Sequence, residues 1–184
     1  MPGVILVPLQ DDDREQFILD NQRAFKYGAM EEFGPRDDHF EEDGEIISRK
    51  TIEDSIDATD SEAYRIIADG QKAGGVVINI DRESGIGHLD LLFTLPEVHS
   101  RGIGYEAWTI IEGIHPEIKI WETVTPYFET RNIHFYVNRC GFHIVEFFNE
   151  FHPDPNENFE MRKEMDEEHD GWDGMFRFQK VINR

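Results

Sequence analysis

Three β-rich runs follow one another between residues 62 and 96, and the short links between them constrain the fold more than any other feature. The runs read EAYRIIAD, GGVVINID and IGHLDLLFTLP. Asp69-Gly70 and a few polar residues link the first two runs, and the turn sequence RESG links the second to the third. Because a parallel crossover needs about a dozen residues or more, we predict that the three strands are antiparallel.

The segments before these runs predict one strand and two helices. Val4–Leu9 is a short apolar run typical of a strand, and Asp12 followed by Glu15 predicts a capping box at the start of a helix. The segment SRKTIEDSID predicts a second helix that begins near Ser48. Residues at helical spacing define the inner stripe of the first helix, namely Phe17, Asn21, Ala24, Phe25 and Gly28.

The segments after Pro96 alternate between helices and strands. IKIWETV predicts a strand that is parallel to the preceding one, since a helix connects them. A further helix covers residues 129–140 and ends at Gly141, and FHIVEFFNEF and GMFRFQKVI predict the last strands. The connecting helix has one apolar stripe, made of Ile103, Ala107, Ile110, Ile111 and Ile114. The predicted fold class is α/β (α+β), a single domain over residues 1–184 with a mixed sheet of about seven strands and about four helices.

Charge and composition exclude several classes of protein. The 184 residues contain 39 acidic and 18 basic side chains, a formal net charge of −21, so we expect no nucleic-acid partner and no anionic membrane partner. One cysteine allows no internal disulfide, and no apolar run is long enough for a signal peptide or a transmembrane helix. The eight histidines show no spacing typical of a metal site. These features predict a cytoplasmic protein without a metal.

The segment VHSRGIGYEA, residues 98–107, indicates a phosphate-binding loop. Backbone N–H groups from Arg101 to Tyr105 would face an anion at a helix N-terminus, and Gly102 and Gly104 allow positive φ and close approach of the backbone. A nucleoside triphosphate is excluded because no lysine follows the second glycine. A dinucleotide remains an alternative, because Gly102-x-Gly104-x-x-Ala107 matches that fingerprint and Glu122 could bind a ribose. The antiparallel hairpins before the loop count against it.

Two segments resemble a known family. LLFTLPEVHSRGIGYEAW is similar to motif A of the GNAT superfamily of N-acyltransferases, and RNIHFYVNRCGF (131–142) is similar to that family's downstream helix. The order of predicted elements is similar over nearly the whole chain. One position departs from the pattern, because His99 stands where the family has Gln or Arg.

The resemblance implies acetyl-CoA as cosubstrate. Its pantetheine arm would bind the strand edge at Phe93, Thr94 and Leu95, where the fourth and fifth strands splay apart. Asn132 would hydrogen-bond the same arm, with helix capping as the competing interpretation. The pyrophosphate would lie in the loop that comprises His99, Ser100, Arg101, Gly102, Ile103, Gly104 and Tyr105.

Three side chains are candidates for the chemistry. Tyr136 is four residues after Asn132 and would protonate the departing thiolate; a packed core tyrosine is the competing interpretation. Glu122 and Asp90 are the candidate bases, with a solvated edge carboxylate as the alternative for each. Cys140 fits a small buried cysteine better than an acyl carrier.

We therefore predict an N-acetyltransferase in which a primary amine attacks the thioester directly. The alternatives are a dinucleotide-binding oxidoreductase and a catalytically idle acyl-CoA-binding module. The acidic segments 34–47 and 150–173 favour a cationic acceptor, either a small molecule or a protein amine. A homodimer is compatible with the sequence.

Overall fold

The computed structural model describes residues 3–34, 45–98, 101–155 and 174–183. Most of the two acidic segments, residues 35–44 and 156–173, lies outside the described residues, so the loops predicted there are not assessed. In the described ranges the strands are β1 (Val4–Pro8), β2 (Ser61–Ala68), β3 (Gln71–Asp81), β4 (Ile86–Thr94), β5 (Ile120–Pro126), β6 (His143–Phe148) and β7 (Met175–Val181). The helices are α1 (Arg14–Phe33), α2 (Arg49–Asp57), α3 (Ile103–Ile114) and α4 (Thr130–His134).

The strands form one mixed sheet in the order β1-β2-β3-β4-β5-β7-β6. With four helices in the described part of the chain, the predicted fold class is confirmed. The chain divides into two compact units, Met1–Trp121 with Ile182–Arg184, and Glu122–Val181. The single domain over 1–184 and the splay between β4 and β5 stay predictions.

Tight turns make the first unit's hairpins. Asp69 and Gly70 have φ values of 51° and 77°, the left-handed pair that a two-residue hairpin needs, and Gly85 with φ 73° ends the second turn. β1, β2, β3 and β4 pair antiparallel in sequence order, as predicted for the last three.

β4 and β5 begin side by side. The carbonyl of Gly85, just before β4, accepts hydrogen bonds from the N–H groups of Lys119 (2.8 Å) and Ile120 (3.3 Å) at the start of β5. Both strands leave this point in the same direction, with α3 in the connection between them. The predicted parallel pair is confirmed.

The N-terminal helices begin differently from each other. Ser48 caps α2 as predicted, because its hydroxyl accepts from the Thr51 N–H at 3.0 Å. The capping box predicted for α1 is wrong: a 3₁₀ turn covers Asp11–Asp13, and the N-cap residue Asp13 makes no side-chain cap. Its carboxylate instead binds Arg65 at 2.8 Å and Lys72 at 2.5 Å, since charge-assisted bonds to two cations are stronger than a bond to one backbone amide.

α1 and α2 pack on the sheet through an apolar cluster. The Phe17 ring lies edge-on to Phe93 with centroids 5.2 Å apart. Gly75 on β3 makes this contact fit, because a Cβ there would lie 2.2 Å from the Phe17 ring. The buried members of the cluster are Phe17, Ile18, Ile52, Val77, Leu91, Phe93 and Leu95.

The buried face of α3 differs in part from the predicted stripe. Ile103, Ala107 and Ile111 are buried, whereas Ile114 is exposed. The buried face extends instead to Trp108, whose ring packs edge-on against Trp121 at 5.0 Å. A large aromatic contact between α3 and the start of β5 therefore sets the orientation of the helix.

The second unit contains a helix that widens at its C-terminal end. α4 continues into a π-helical turn over Phe135–Arg139, in which the Cys140 N–H donates to the Phe135 carbonyl at 3.0 Å. Gly141, with φ 79°, ends the helix as predicted. β6 and β7 pair antiparallel beside it. Single π-turns inside helices are frequent at functional sites, and this one contains Tyr136.

Candidate active site

The end of β4 is the predicted place for the pantetheine arm. The Leu95 N–H already donates to the Ala73 carbonyl of β3 at 2.8 Å, so this group is not open to a ligand. Phe93 is buried in the cluster under α1, and Thr94 is half-buried. Because backbone groups alternate between the two edges of a strand, Thr94 directs its N–H and C=O away from β3. Of the three predicted residues, Thr94 is the one whose backbone can meet the arm.

Asp90 occupies a bulge in the same strand. Leu89 pairs with Ile78 and Leu91 pairs with Val77, so Asp90 has no pairing residue on β3. A bulge re-aims the side chain that it contains, and bulges are frequent next to active sites. No alternation pattern in the sequence signals it.

Asp90 reaches solvent, but protein atoms surround much of its carboxylate. It keeps accessible surface, yet the protein atoms around it raise its pKa from 3.8 to about 6 through desolvation. Since water still reaches the group, the shift is smaller than that of a fully buried carboxylate. Among the described residues no side chain forms a hydrogen bond or ion pair with it. Such a carboxylate accepts a proton near neutral pH, as a general base must.

The loop before α3 is the first part of the predicted phosphate site. Gly102 has φ 81° and is the N-cap of α3, and a Cβ there would meet no atom of the described residues within 4 Å. Its positive φ is confirmed. Open space in front of a helix start, where the first N–H groups have no partner within the helix, suits an anion.

The other loop residues divide into three groups. Arg101 is exposed just before the helix, and Tyr105 is exposed in its first turn. Ile103 is buried, so its side chain anchors the loop and only its backbone can face a ligand. Gly104 lies inside α3 and has no positive φ, which corrects the expectation that it uses one. His99 and Ser100 lie outside the described residues.

Tyr136 is buried, with 9% of its surface exposed. Its ring packs against Phe142 and Phe178 with centroid distances of 5.8 and 5.4 Å, so the core-packing interpretation is correct for the ring. Burial raises the pKa of the phenol well above its ordinary value, and a hydrogen bond with the Thr123 side chain opposes this effect. The phenol is therefore protonated at every physiological pH and is able to donate its proton as a general acid.

Asn132 lies one turn before Tyr136 and already has two partners. Its Nδ2 donates to the carboxylate of Glu129, and more weakly to Oγ1 of Thr125 at 3.5 Å. It therefore does not cap the helix through these contacts. Its predicted bond to pantetheine would have to use the amide oxygen or replace the contact to Thr125.

Glu122 lies in an ion-pair network on the outer face of β5. Its Oε1 accepts from Arg177 at 2.7 Å and from Gln179 at 3.0 Å, and Arg177 also binds Glu146. The expected apolar face around Glu122 is wrong, because Val124 is exposed. The buried face of β5 carries Trp121, Thr123 and Thr125 instead. With Oε1 held by two donors, Glu122 is less suited than Asp90 to take a proton from substrate.

Thr123 and Thr125 are buried polar residues that form hydrogen bonds with Tyr136 and Asn132 and that sequence reasoning missed. The alternation in WETVT, residues 121–125, carries the signal, because the pattern sets Trp121 and both threonines on one face. The expectation of an apolar face around Glu122 was based on Ile120 and Val124, which lie on the other face of the strand.

Cys140 is buried, in agreement with the core-cysteine interpretation. Within the described ranges, no three His, Cys, Asp or Glu side chains are grouped to hold a metal ion. In the same ranges, no helix combines the length and apolar character that crossing a bilayer requires.

Comparison with known proteins identifies the family. The model of the acetyltransferase (GNAT) family matches residues 22–142. An uncharacterized protein of Bacillus subtilis (strain 168), YrkN, is 42% identical over 183 residues, which cover all of this chain and 96% of that protein. The chain belongs to the GNAT family of acetyltransferases.

Solved structures with the same fold include two enzymes. The PaiA N-acetyltransferase of Thermoplasma acidophilum, in complex with coenzyme A, has a TM-score of 0.65 at 18% identity, covering 98% of this chain and 99% of that one. Spermidine N-acetyltransferase of Vibrio cholerae, in complex with CoA and spermine, has a TM-score of 0.64 at 12% identity, covering 97% and 95%. At these identities the likeness concerns the fold.

Proposed function

We propose that the protein is an N-acetyltransferase that transfers the acetyl group of acetyl-CoA to a primary amine by direct attack. The observation that carries the proposal is the left-handed Gly102 at the open start of α3, in the segment that resembles the family's CoA loop. The two structural relatives crystallised with coenzyme A support the choice of cosubstrate. Family membership favours this function over a dinucleotide-binding oxidoreductase.

The donor would be held mainly by backbone groups. The first N–H groups of α3 and Arg101 would bind the pyrophosphate, where the helix dipole and the guanidinium both favour negative charge. The backbone of Thr94 would pair with the pantetheine amides as an added strand does. Isothermal titration with acetyl-CoA and with NAD(P)H tests this step, because an oxidoreductase would bind only the second ligand.

Asp90 is the base in this proposal. An alkylamine is neutral in only about one molecule in 2,500 at pH 7, so removal of its proton must accompany attack. Asp90 would take that proton directly or through a water molecule. The neutral nitrogen would then bond to the thioester carbon, the carbon–sulfur bond would break with its electron pair on sulfur, and sulfur would take the phenol proton of Tyr136. The nitrogen would lose its second proton as the amide forms, and that proton would return to the Tyr136 phenolate, so that the net proton released is the one on Asp90.

Asp90→Asn is expected to slow turnover and to stabilise the fold. The amide cannot accept a proton, so kcat should fall by about 10² or more. The folded-state pKa of Asp90 lies above its unfolded value, so its contribution to stability is fully present below about pH 3.8 and is lost as pH rises to about 6. Asn does not ionise, and Tm at pH 7 should therefore rise.

The matched control for Tm is Glu122→Gln. This change breaks the pair with Arg177 and should lower Tm. In the parent protein, kcat/KM should increase with pH through about 6, and this limb should be absent from Asp90→Asn. Normal turnover in Asp90→Asn, with the limb retained, would assign the base elsewhere.

The acceptor in this proposal is cationic. The net charge of −21 favours a cation near the protein, and the structural relative in complex with CoA and spermine supports a polyamine as one such acceptor. In a panel of polyamines, aminoglycosides, peptides and neutral or anionic amines, kcat/KM should be highest for polycations and should fall as salt is raised. Turnover confined to neutral or anionic amines would reject the cationic acceptor.

A further inference from the structure

Two hydroxyl groups lie on the buried face of β5. Thr123 and Thr125 are 5% and 3% exposed, on the same face as the fully buried Trp121. Valine has nearly the same shape as threonine and would fill either position without a polar atom. A buried hydroxyl costs stability unless it forms a hydrogen bond, so each threonine needs a specific partner.

Both partners come from the helix that begins at Thr130. Thr123 forms a side-chain hydrogen bond with Tyr136, and Oγ1 of Thr125 accepts from Asn132 at 3.5 Å. The two threonines are two residues apart on a strand, and their partners are four residues apart on a helix, so each pair shares one face of its element. The buried face of the strand therefore contacts one face of the helix through two hydrogen bonds, and one of them joins Thr123 to Tyr136.

The bond between Thr123 and Tyr136 stabilises the ionised form of the phenol. It lowers the pKa of the phenol, against the larger upward effect of burial. A phenolate oxygen has no proton to donate, so once the phenol proton has left, the Thr123 hydroxyl must be the donor in this bond.

We propose that Thr123 is a positioning residue for catalysis: its hydroxyl donates to the phenol oxygen of Tyr136 and aims the phenol proton at the leaving thiolate. This inference rests on the proposed function, in which Tyr136 is the general acid. When the carbon–sulfur bond breaks, its electron pair goes to sulfur, and sulfur takes the phenol proton. The phenolate that remains is stabilised by the hydrogen bond from Thr123 and regains its proton from the nitrogen of the new amide, directly or through a water molecule.

Thr123→Val tests the hydroxyl while keeping the shape. We expect kcat to fall about tenfold, the factor that one hydrogen bond supplies, with the Kd of acetyl-CoA unchanged. Thr123→Ser should restore most of kcat because it keeps the donor. Thr123→Ser and Thr123→Ala differ only in the hydroxyl, so this second pair tests the same point if the valine variant does not fold.

A double-mutant cycle separates positioning from packing. In the Tyr136→Phe background, Thr123→Val should lower kcat no further, because no phenol proton is left to aim. Thr125→Val removes the neighbouring hydroxyl and should not couple to Tyr136→Phe. A purely structural Thr123 would instead lower Tm with kcat unchanged.

The outcomes distinguish this inference from the proposed function. If Tyr136→Phe is slow but Thr123→Val turns over like the parent, the positioning role is overturned and the acetyltransferase stands. Equal effects of Thr123→Val in both backgrounds would also overturn it. If the parent protein releases no CoA with any amine, both the proposed function and this inference fail.

Discussion

Gly102→Val is expected to weaken acetyl-CoA binding by about 100-fold or more. Gly102 has φ 81°, a conformation that a β-branched residue adopts only with strain. Relief of that strain would turn the first N–H groups of α3 away from the pyrophosphate. Loss of two charge-assisted hydrogen bonds at about 1.5 kcal/mol each already corresponds to roughly two orders of magnitude in Kd. Isothermal titration with acetyl-CoA measures this change in Kd directly.

Two other glycines provide matched controls. Gly70 also has a positive φ, 77°, but lies in the β2–β3 turn, so Gly70→Val carries similar strain without touching the loop. Gly113 lies near the C-terminal end of α3, where a Cβ would meet nothing within 4 Å in the part of the chain that the structure describes. Gly70→Val should lower Tm and Gly113→Val should not, and both should bind acetyl-CoA like the parent. Unchanged affinity in folded Gly102→Val would place the phosphate site elsewhere.

Tyr136→Phe is expected to lower kcat by about 10², the lower part of the range for one general acid, because CoA thiolate is a fairly good leaving group. The ring stays in its contacts with Phe142 and Phe178, so the Kd of acetyl-CoA should change by less than about 1 kcal/mol. Tm should fall slightly, since the Thr123 hydroxyl loses its partner. Turnover, rather than Tm, therefore decides between the general acid and a core tyrosine.

The control for Tyr136→Phe is Tyr127→Phe. Tyr127 belongs to the same unit and is 49% exposed, so loss of its hydroxyl should change neither kcat nor Tm. Turnover of Tyr136→Phe within about threefold of the parent, in protein that binds acetyl-CoA, would reject the general acid.

Local signals in the sequence predicted the first unit's framework well. Asp69-Gly70 and Ser48 act through neighbours a few residues away, and the structure shows the turn and the cap that they imply. Gly102 likewise has the positive φ that its place before a helix suggests. Each of these features depends on backbone sterics or on a hydrogen bond within one turn.

Features that depend on distant residues were not predictable. Asp13 binds Arg65 instead of capping α1, and Glu122 binds Arg177, its partner 55 residues later in the chain. The bulge at Asp90 depends on the register between β3 and β4. The alternation of apolar and polar residues within either strand does not predict that register. Asp90, Glu122 and Tyr136 could be named as candidates from sequence, whereas the contacts of these side chains and the part of Thr123 required the fold.

The most direct test of the proposed activity is to incubate the purified protein with acetyl-CoA and spermidine, and to measure free thiol and the mass of the amine together. We expect one N-acetylated amine for each CoA released, with the rate lowered in Tyr136→Phe and in Gly102→Val at subsaturating acetyl-CoA. CoA release without an acetylated amine, across the whole acceptor panel, would contradict it.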